Sequence, residues 1–237
     1  MHVEDLHALG KRSSKRVDRC SIPAFGEVRH RLERQRHART LGAVKAYYDR
    51  RASEYDDWWL GEGLYADRDR PGWHEELRVL EGVIAELPPL RTLDIACGTG
   101  FLTRHLRGDV VGLDASARML DVAREQAPNA RFVTGEALEL PFGDGSFDRV
   151  FASYFYCHLD EPERERFLAE ARRVARELVI VASTRGEGDA SERWEERRLR
   201  DGSRWTVFKR VFTGDELAHE LGGTVVFEGH WFIVVRA

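Results

Sequence analysis

Cysteine is scarce in this chain. Its 237 residues hold three, Cys20, Cys97 and Cys157. They are too few and too scattered for a disulfide framework or a tetrahedral zinc site. Long apolar runs are missing as well. No stretch approaches the ~18 uninterrupted apolar residues of a membrane-crossing helix. The first residues lack the ~7–15-residue apolar core of a secretory signal. No internal repeat is present, and no P-loop run of the form G-x-x-x-x-G-K-[ST]. These absences exclude disulfide scaffolds, structural zinc modules and membrane-spanning helical proteins.

What is present is a globular balance. Apolar residues make up 42% and aromatic residues 10%, which excludes a chain too poor in hydrophobic groups to fold. At ~100–200 residues per domain, the length allows one domain with additions or two small ones. The formal charge of −4 is unevenly spread. Residues 1–40 hold ten Lys/Arg and five Asp/Glu, giving +5, and the remainder carries −9. A basic arm on an acidic body is the natural reading. The arm includes Lys11-Arg12-Ser13-Ser14-Lys15-Arg16 and the run from Arg29 to Arg39. It is expected to be a disordered, solvated extension. Phosphate contacts to nucleic acid are the alternative, and the acidic body disfavours them.

Ordered pattern begins near Leu41. Leu41, Val44, Tyr47, Tyr48, Tyr55, Trp58 and Trp59 recur at roughly helical spacing up to Gly61 and Gly63. Trp73, Leu77, Leu80, Ile84 and Leu87 form a second helical stripe, stopped by Pro88-Pro89. From Arg91 the texture alternates. Strands are predicted over 92–96, 109–113, 130–134, 147–153 and 178–183. Helices are predicted over 102–106, 116–126 with Ser116 as N-cap, and 161–176. Strands interleaved with helices make βαβ units and a parallel sheet with helices on both faces. Near the C-terminus a helix over 214–221 precedes strands over 224–227 and 231–236. Only Glu228-Gly229-His230 separates those two strands, so they must pair antiparallel. Between Thr184 and Thr213 lies a charged insertion, with a run from Arg193 to Arg200 and a strand-like stretch from Arg204 to Phe212.

The first predicted strand ends in Asp94-Ile95-Ala96-Cys97-Gly98-Thr99-Gly100. Ligands of open α/β sheets bind at such carboxyl ends, where strand order reverses. Small residues at 96, 98 and 100 let the backbone approach a ligand closely. Thr103 stands where a dinucleotide fingerprint has its third glycine, so that fingerprint fails and a nicotinamide oxidoreductase is disfavoured. Asp114 ends the second predicted strand, where a carboxylate can accept hydrogen bonds from two ribose hydroxyls. Gly135-Glu136-Ala137 follows the third and can read an adenine edge.

In that order and spacing, these residues resemble a class I S-adenosylmethionine-dependent methyltransferase. The nearest texture is the small-molecule group typified by ubiquinone/menaquinone-biosynthesis methyltransferases. Leu93 to Gly100, Val110 to Ser116 with Met119-Leu120, Gly135 to Phe142 and Gly145 to Asp148 carry the resemblance, which spans roughly Val44 to Ala237. Tyr48-Asp49 with Tyr55-Asp56 also resembles the helical lid of that group. Ala96 replaces the usual first glycine, and Glu136 the commoner Asp.

The resemblance implies a Rossmann-like α/β fold. Its seven-stranded, mostly parallel sheet has strand order 3-2-1-4-5-7-6, with the seventh strand antiparallel. The domain would run over 41–237, with a helical lid at 41–87 and an insertion at 184–212. S-adenosylmethionine would be the cofactor. Tyr48 would belong to its site, and Asp94 with the Ala96, Gly98 and Gly100 loop would hold its methionine part. Asp114 would hold the ribose, Ala115 and Met119 would pack on the adenine, and Glu136 with Ala137 would read its edge. Ser153 or Tyr154 would lie beside the methionyl group.

A small organic methyl acceptor is the expected partner, in the cytoplasm, with no metal required. Aromatic faces of Tyr47, Tyr48, Tyr55 and Tyr154 could attract a sulfonium. His158 is the one well-placed candidate for a general base, against a structural role for the same residue. His74 is expected at the surface. Trp58, Trp59, Trp73, Trp194 and Trp205 fall in the segments expected around the acceptor, or simply pack those segments. Ser153-Tyr154-Phe155 replaces the Asn/Asp-Pro-Pro-Tyr/Phe run of amino-methylating DNA enzymes. A non-catalytic cofactor-binding regulator, or an RNA or protein methyltransferase recruited by the basic arm, are the rival readings.

Overall fold

The computed structural model describes residues 41–237. The basic segment 1–40 lies outside the described residues. Seven strands form one sheet: β1 (Leu90–Ile95), β2 (Gly108–Asp114), β3 (Arg131–Thr134), β4 (Arg149–Ser153), β5 (Glu177–Ser183), β8 (Thr224–Glu228) and β9 (Phe232–Arg236). Their order is β3-β2-β1-β4-β5-β9-β8. The first five are mutually parallel, and β9 runs antiparallel to both β5 and β8. A second, two-stranded sheet pairs β6 (Glu192–Arg198) with β7 (Arg204–Arg210).

Burial explains which strands sit at the centre. Val150, Phe151 and Ala152 of β4 and Val179 to Val181 of β5 are fully buried, as expected for parallel strands covered on both faces. The edge strands β3 and β8 leave Val133, Val225 and Val226 exposed. Among the described residues six α-helices accompany the sheet: α1 (Leu41–Arg51), α2 (Asp57–Leu60), α3 (Trp73–Ala85), α4 (Ala117–Gln126), α5 (Glu161–Val174) and α6 (Gly214–Leu221). α4 packs on β2 and β3, α5 on β5, and α6 on β8 and β9. None of the described helices is long and apolar enough to cross a membrane.

The caps follow from local chemistry. Ser116 accepts from the Met119 N–H at 3.2 Å and starts α4. Asp160 with Glu163, and Thr213 with Glu216, form capping boxes that start α5 and α6. The helical stripe that begins at Leu41 is not one helix. It is cut at Arg51 into α1, a 3-10 turn over Ala52–Glu54, and α2, which Gly61 ends at φ 70°. The helix expected over 102–106 shrinks to a 3-10 turn, Thr103–His105.

α2, α3 and β9 share an aromatic cluster. Trp59 stacks on Phe101 at 4.9 Å, Trp58 meets Trp73 edge-on at 4.8 Å, and Trp73 meets Phe232 at 4.8 Å. The Trp73 indole N–H donates to the Trp59 carbonyl at 2.8 Å. These three tryptophans pack the N-terminal helices onto the sheet. Glu76 of α3 completes the attachment by accepting from the backbone N–H groups of His230, Trp231 and Phe232 at 2.7–2.9 Å.

Candidate active site

The carboxyl ends of β1 and β4 adjoin where strand order reverses. The chain turns sharply after each of them. Ala96 follows β1 at φ 56° and Tyr154 follows β4 at φ 54°. They are the only non-glycine residues with positive φ among the described residues. A left-handed backbone costs an ordinary side chain on the order of 1–3 kcal/mol, and such strain gathers at functional sites. Gly98, at φ 57°, continues the turn.

Above these strand ends lies a cavity of about 780 Å³. One end is formed by Asp114, Ala115, Ser116, Glu136 and Ala137, the middle by Ala96, Gly98, Ser153, Tyr48, Tyr55 and Tyr154. At the far end stand Phe155, His158, Glu163, Trp194, Trp205 and Phe208. The cavity thus gathers Tyr48, Ala96, Gly98, Asp114, Ala115, Glu136, Ala137, Ser153 and His158 from the sequence reading. Asp94, Gly100 and Met119 do not line it. Met119 is buried in α4. Gly100 faces α4, where a side chain would meet Ala123 at 3.2 Å. Asp94 is buried behind the loop and accepts from the Thr103 hydroxyl at 2.6 Å. Its Oδ1 is buried without a hydrogen-bond partner, and burial raises its pKa to about 7. His74 is exposed, as expected.

Asp114 is anchored at one end of the cavity. Its Oδ2 accepts from Gly98 N–H at 3.0 Å and its Oδ1 from Ser116 N–H at 2.8 Å. Each oxygen keeps accepting capacity, because a carboxylate offers about four lone-pair sites. Burial raises its pKa, and those two N–H groups oppose the rise.

The roof is held by carboxylates that the sequence reading assigned no contacts. Asp49 accepts from the Ser116 hydroxyl at 2.6 Å, and Asp56 from the Thr99 hydroxyl at 2.6 Å. Asp56 also accepts from the Gln126 amide. The repeated Tyr-Asp pair, seven residues apart, was the available signal. The end of α1 sets Asp49 against Ser116, and the 3-10 turn that follows sets Asp56 against Thr99 of the loop. Tyr55 lies over Gly98, 3.6 Å from where a Cβ would stand.

β6 and β7 close the far end. The turn between them reaches the 3-10 turn at Glu54 and the start of α2. Arg200 N–H donates to Glu54, and its guanidinium meets Asp57 at 2.5 Å. Trp205 packs on Tyr47 with ring centroids 5.7 Å apart. His158 Nδ1 lies 2.6 Å from the Phe208 carbonyl oxygen. A carbonyl can only accept, so Nδ1 carries the proton and Nε2 is the ring's acceptor. Burial lowers the His158 pKa to about 4, the Phe208 carbonyl opposing. Trp194 and Trp205 therefore line the cavity, whereas Trp58, Trp59 and Trp73 do not.

Comparison with known proteins matches residues 92–177 to the family model described as "Methyltransferase domain". The demethylmenaquinone methyltransferase of Thermotoga maritima is 35% identical over 142 residues, covering 56% of this chain and 58% of that protein. The enzyme of the same name from Renibacterium salmoninarum is 37% identical over 110 residues, covering 44% and 46%. The chain thus spans about half the length of these curated relatives. Among solved structures, one described as "DhpI-SAH complex structure" is similar at TM-score 0.64 and 26% identity, over 81% of this chain and 93% of that one. A "DhpI-SAM-HEP complex" matches at TM-score 0.64 and 25% identity, over 81% and 94%.

Proposed function

We infer the function from the family to which the core belongs: residues 92–177 are a class I methyltransferase domain. On that premise the protein is an S-adenosylmethionine-dependent methyltransferase that acts on a small organic acceptor. The observation that carries this reading is Asp114. Its half-buried carboxylate is anchored by Gly98 and Ser116 at the edge of the cavity and keeps lone pairs for two ribose hydroxyls. The surroundings fit the rest of the cofactor. Glu136 and Ala137 would hold the adenine edge, and Ala115 would pack on its face. The Ala96–Gly98 turn brings backbone close to the methionyl part, with Ser153 opposite. Tyr48 and Tyr55 line the same cavity and would offer aromatic surface to the cationic sulfur, worth about 0.5–2 kcal/mol each. Asp94 and Met119 act from behind the wall, Asp94 by fixing Thr103 and the loop, Met119 by filling α4.

When bound, the cofactor supplies a methyl group already activated by its positive sulfur. The chain's task is to exclude water and align the acceptor, which in favourable cases lowers a barrier by ~7–11 kcal/mol. α1, α2 and the β6–β7 hairpin serve as the lid and acceptor wall. Cys97 and Cys157 are free thiols, which suits the reducing cytoplasm.

Isothermal titration with S-adenosylmethionine and its demethylated product tests the reading. Wild-type protein binds both. Asp114→Ala removes two charge-assisted hydrogen bonds and weakens binding by about 10²-fold or more, at roughly 1.5–3 kcal/mol each. Wild-type protein that binds neither ligand refutes the assignment.

A further inference from the structure

The far wall of the cavity joins two segments fifty residues apart. One is the 3-10 turn Tyr156–His158 after β4, and the other is β7. His158 and Phe208 are their contributions to the lining. Two residues before His158 stands Tyr156, and two residues after Phe208 stands Arg210. Both reach one carboxylate. Glu220 of α6 accepts from the Tyr156 hydroxyl at 2.6 Å and pairs with the Arg210 guanidinium at 3.0 Å. Its third partner is Arg164 of α5, at 2.9 Å. Arg164 also donates to the Leu159 carbonyl at 2.9 Å, which holds the end of the turn.

None of Glu220, Arg164, Tyr156 and Arg210 lines the cavity. Tyr156 and Arg164 are buried, so their polar ends require partners. Bonds from a guanidinium to a carboxylate are short and directional, which suits them to fixing a position. Packing supports the same pose. The Arg210 guanidinium lies over the Phe212 ring at 4.9 Å, and Phe212 stacks on Tyr156 with centroids 6.0 Å apart. The longer contact of Arg210 to Glu192, 3.9 Å, stays within the β6–β7 hairpin and does not tie it to the core.

We propose that Glu220 is a positioning residue of the acceptor wall. By gripping Tyr156 and Arg210 together it fixes the register of β7 against the turn. That register brings the Phe208 carbonyl within 2.6 Å of His158 Nδ1 and leaves Nε2 as the ring's acceptor. Glu220 acts through these neighbours and touches neither cofactor nor acceptor. The proposal rests on the methyltransferase reading above, which makes this wall the acceptor's, and it assigns no acceptor.

The test uses the full chain with ¹⁵N-labelled histidine rings. Wild-type His158 shows a protonated Nδ1 and an unprotonated Nε2. Glu220→Ala leaves buried partners unsatisfied and can unfold the protein, so the deciding variant is Arg210→Met. It keeps an apolar stem over Phe212 and leaves Glu220 with Tyr156 and Arg164, cutting only the tie to β7. In Arg210→Met the ratio of Nδ1–H to Nε2–H forms falls about tenfold, the worth of one hydrogen bond. Thr213→Ala is the control for stability alone. It removes the cap of the helix that carries Glu220 but leaves the clamp in place. It lowers Tm and leaves the His158 signals as in wild type. Three results overturn the proposal: wild-type His158 protonated on Nε2, Arg210→Met with wild-type ring signals, or the same shift in Thr213→Ala. S-adenosylhomocysteine binding is measured alongside and is unchanged in Arg210→Met. Its absence in the wild-type protein overturns the function proposed above and leaves the histidine readout standing.

Discussion

Asp94 and His158 are titratable groups whose burial pulls stability in opposite directions. Asp94 has a folded-state pKa of about 7 against an ordinary carboxylate value of 3.8. The native state therefore holds this proton more tightly than the unfolded chain. The associated stability is complete below about pH 3.8 and drains away as pH rises through 7. His158 is lowered from 6.5 to about 4, so its contribution is complete above pH 6.5 and is lost as pH falls toward 4. Urea unfolding across this range separates them. Asp94→Asn removes a decline in stability between pH 4 and 7, and His158→Asn removes a loss on acidification from 6.5. Strain marks the same site. Ala96→Val puts a β-branched residue at φ 56°, where it costs on the order of 1–3 kcal/mol. Ala96→Gly at that position is neutral or stabilising, as thermal unfolding will record.

The elements differ in how plainly the sequence announces them. The helix over Gly214–Leu221 matches its expected limits because Thr213 and Glu216 cap one end and Gly222, at φ 69°, stops the other. β6 was invisible. Six of its seven residues, Glu-Arg-Trp-Glu-Glu-Arg-Arg, are charged, and no alternation of apolar and polar groups marks it. It exists because β7 lies opposite, in the register Arg193↔Lys209 to Arg198↔Arg204. Its charges are met locally: Glu195 pairs with Arg193 and Arg197, and Glu196 with Arg204. The hairpin turn then depends on Arg200. Arg200→Ala leaves the Asp57 carboxylate without its ion-pair partner. The guanidinium is half-exposed, so the loss of stability is only about 1 kcal/mol. Amide exchange should nonetheless quicken locally, at Ser203 and at the other hairpin amides, with the central strands unchanged. At α5, Asp160→Ala removes the N-cap side chain and costs about 1 kcal/mol in urea unfolding.

At the scale of the molecule, the cavity joins parts that are far apart in sequence: α1, the β1 and β2 loops, the turn after β4, and β7. A ligand that binds only this assembled form stabilises all of it at once. At a hundred times its dissociation constant, S-adenosylmethionine adds about 2.7 kcal/mol. For a chain of this size that corresponds to a rise in Tm of roughly 5–10 °C. Scanning calorimetry should show the rise in wild-type protein and lose it in Asp114→Ala.

The sequence by itself determined the parallel core. Buried strands, capped helices and the Asp94-to-Gly100 loop are written in local pattern, since each is fixed by neighbours a few residues away. It also placed Asp114 and Glu136 at strand ends, and strand ends of such a sheet face one common side. The tertiary structure decided what stands opposite them. It sent Trp58, Trp59 and Trp73 into packing and Trp194 and Trp205 into the cavity, and it brought the Phe208 carbonyl to His158 from fifty residues away. A histidine's tautomer and a tryptophan's exposure depend on distant partners, and no local pattern encodes them.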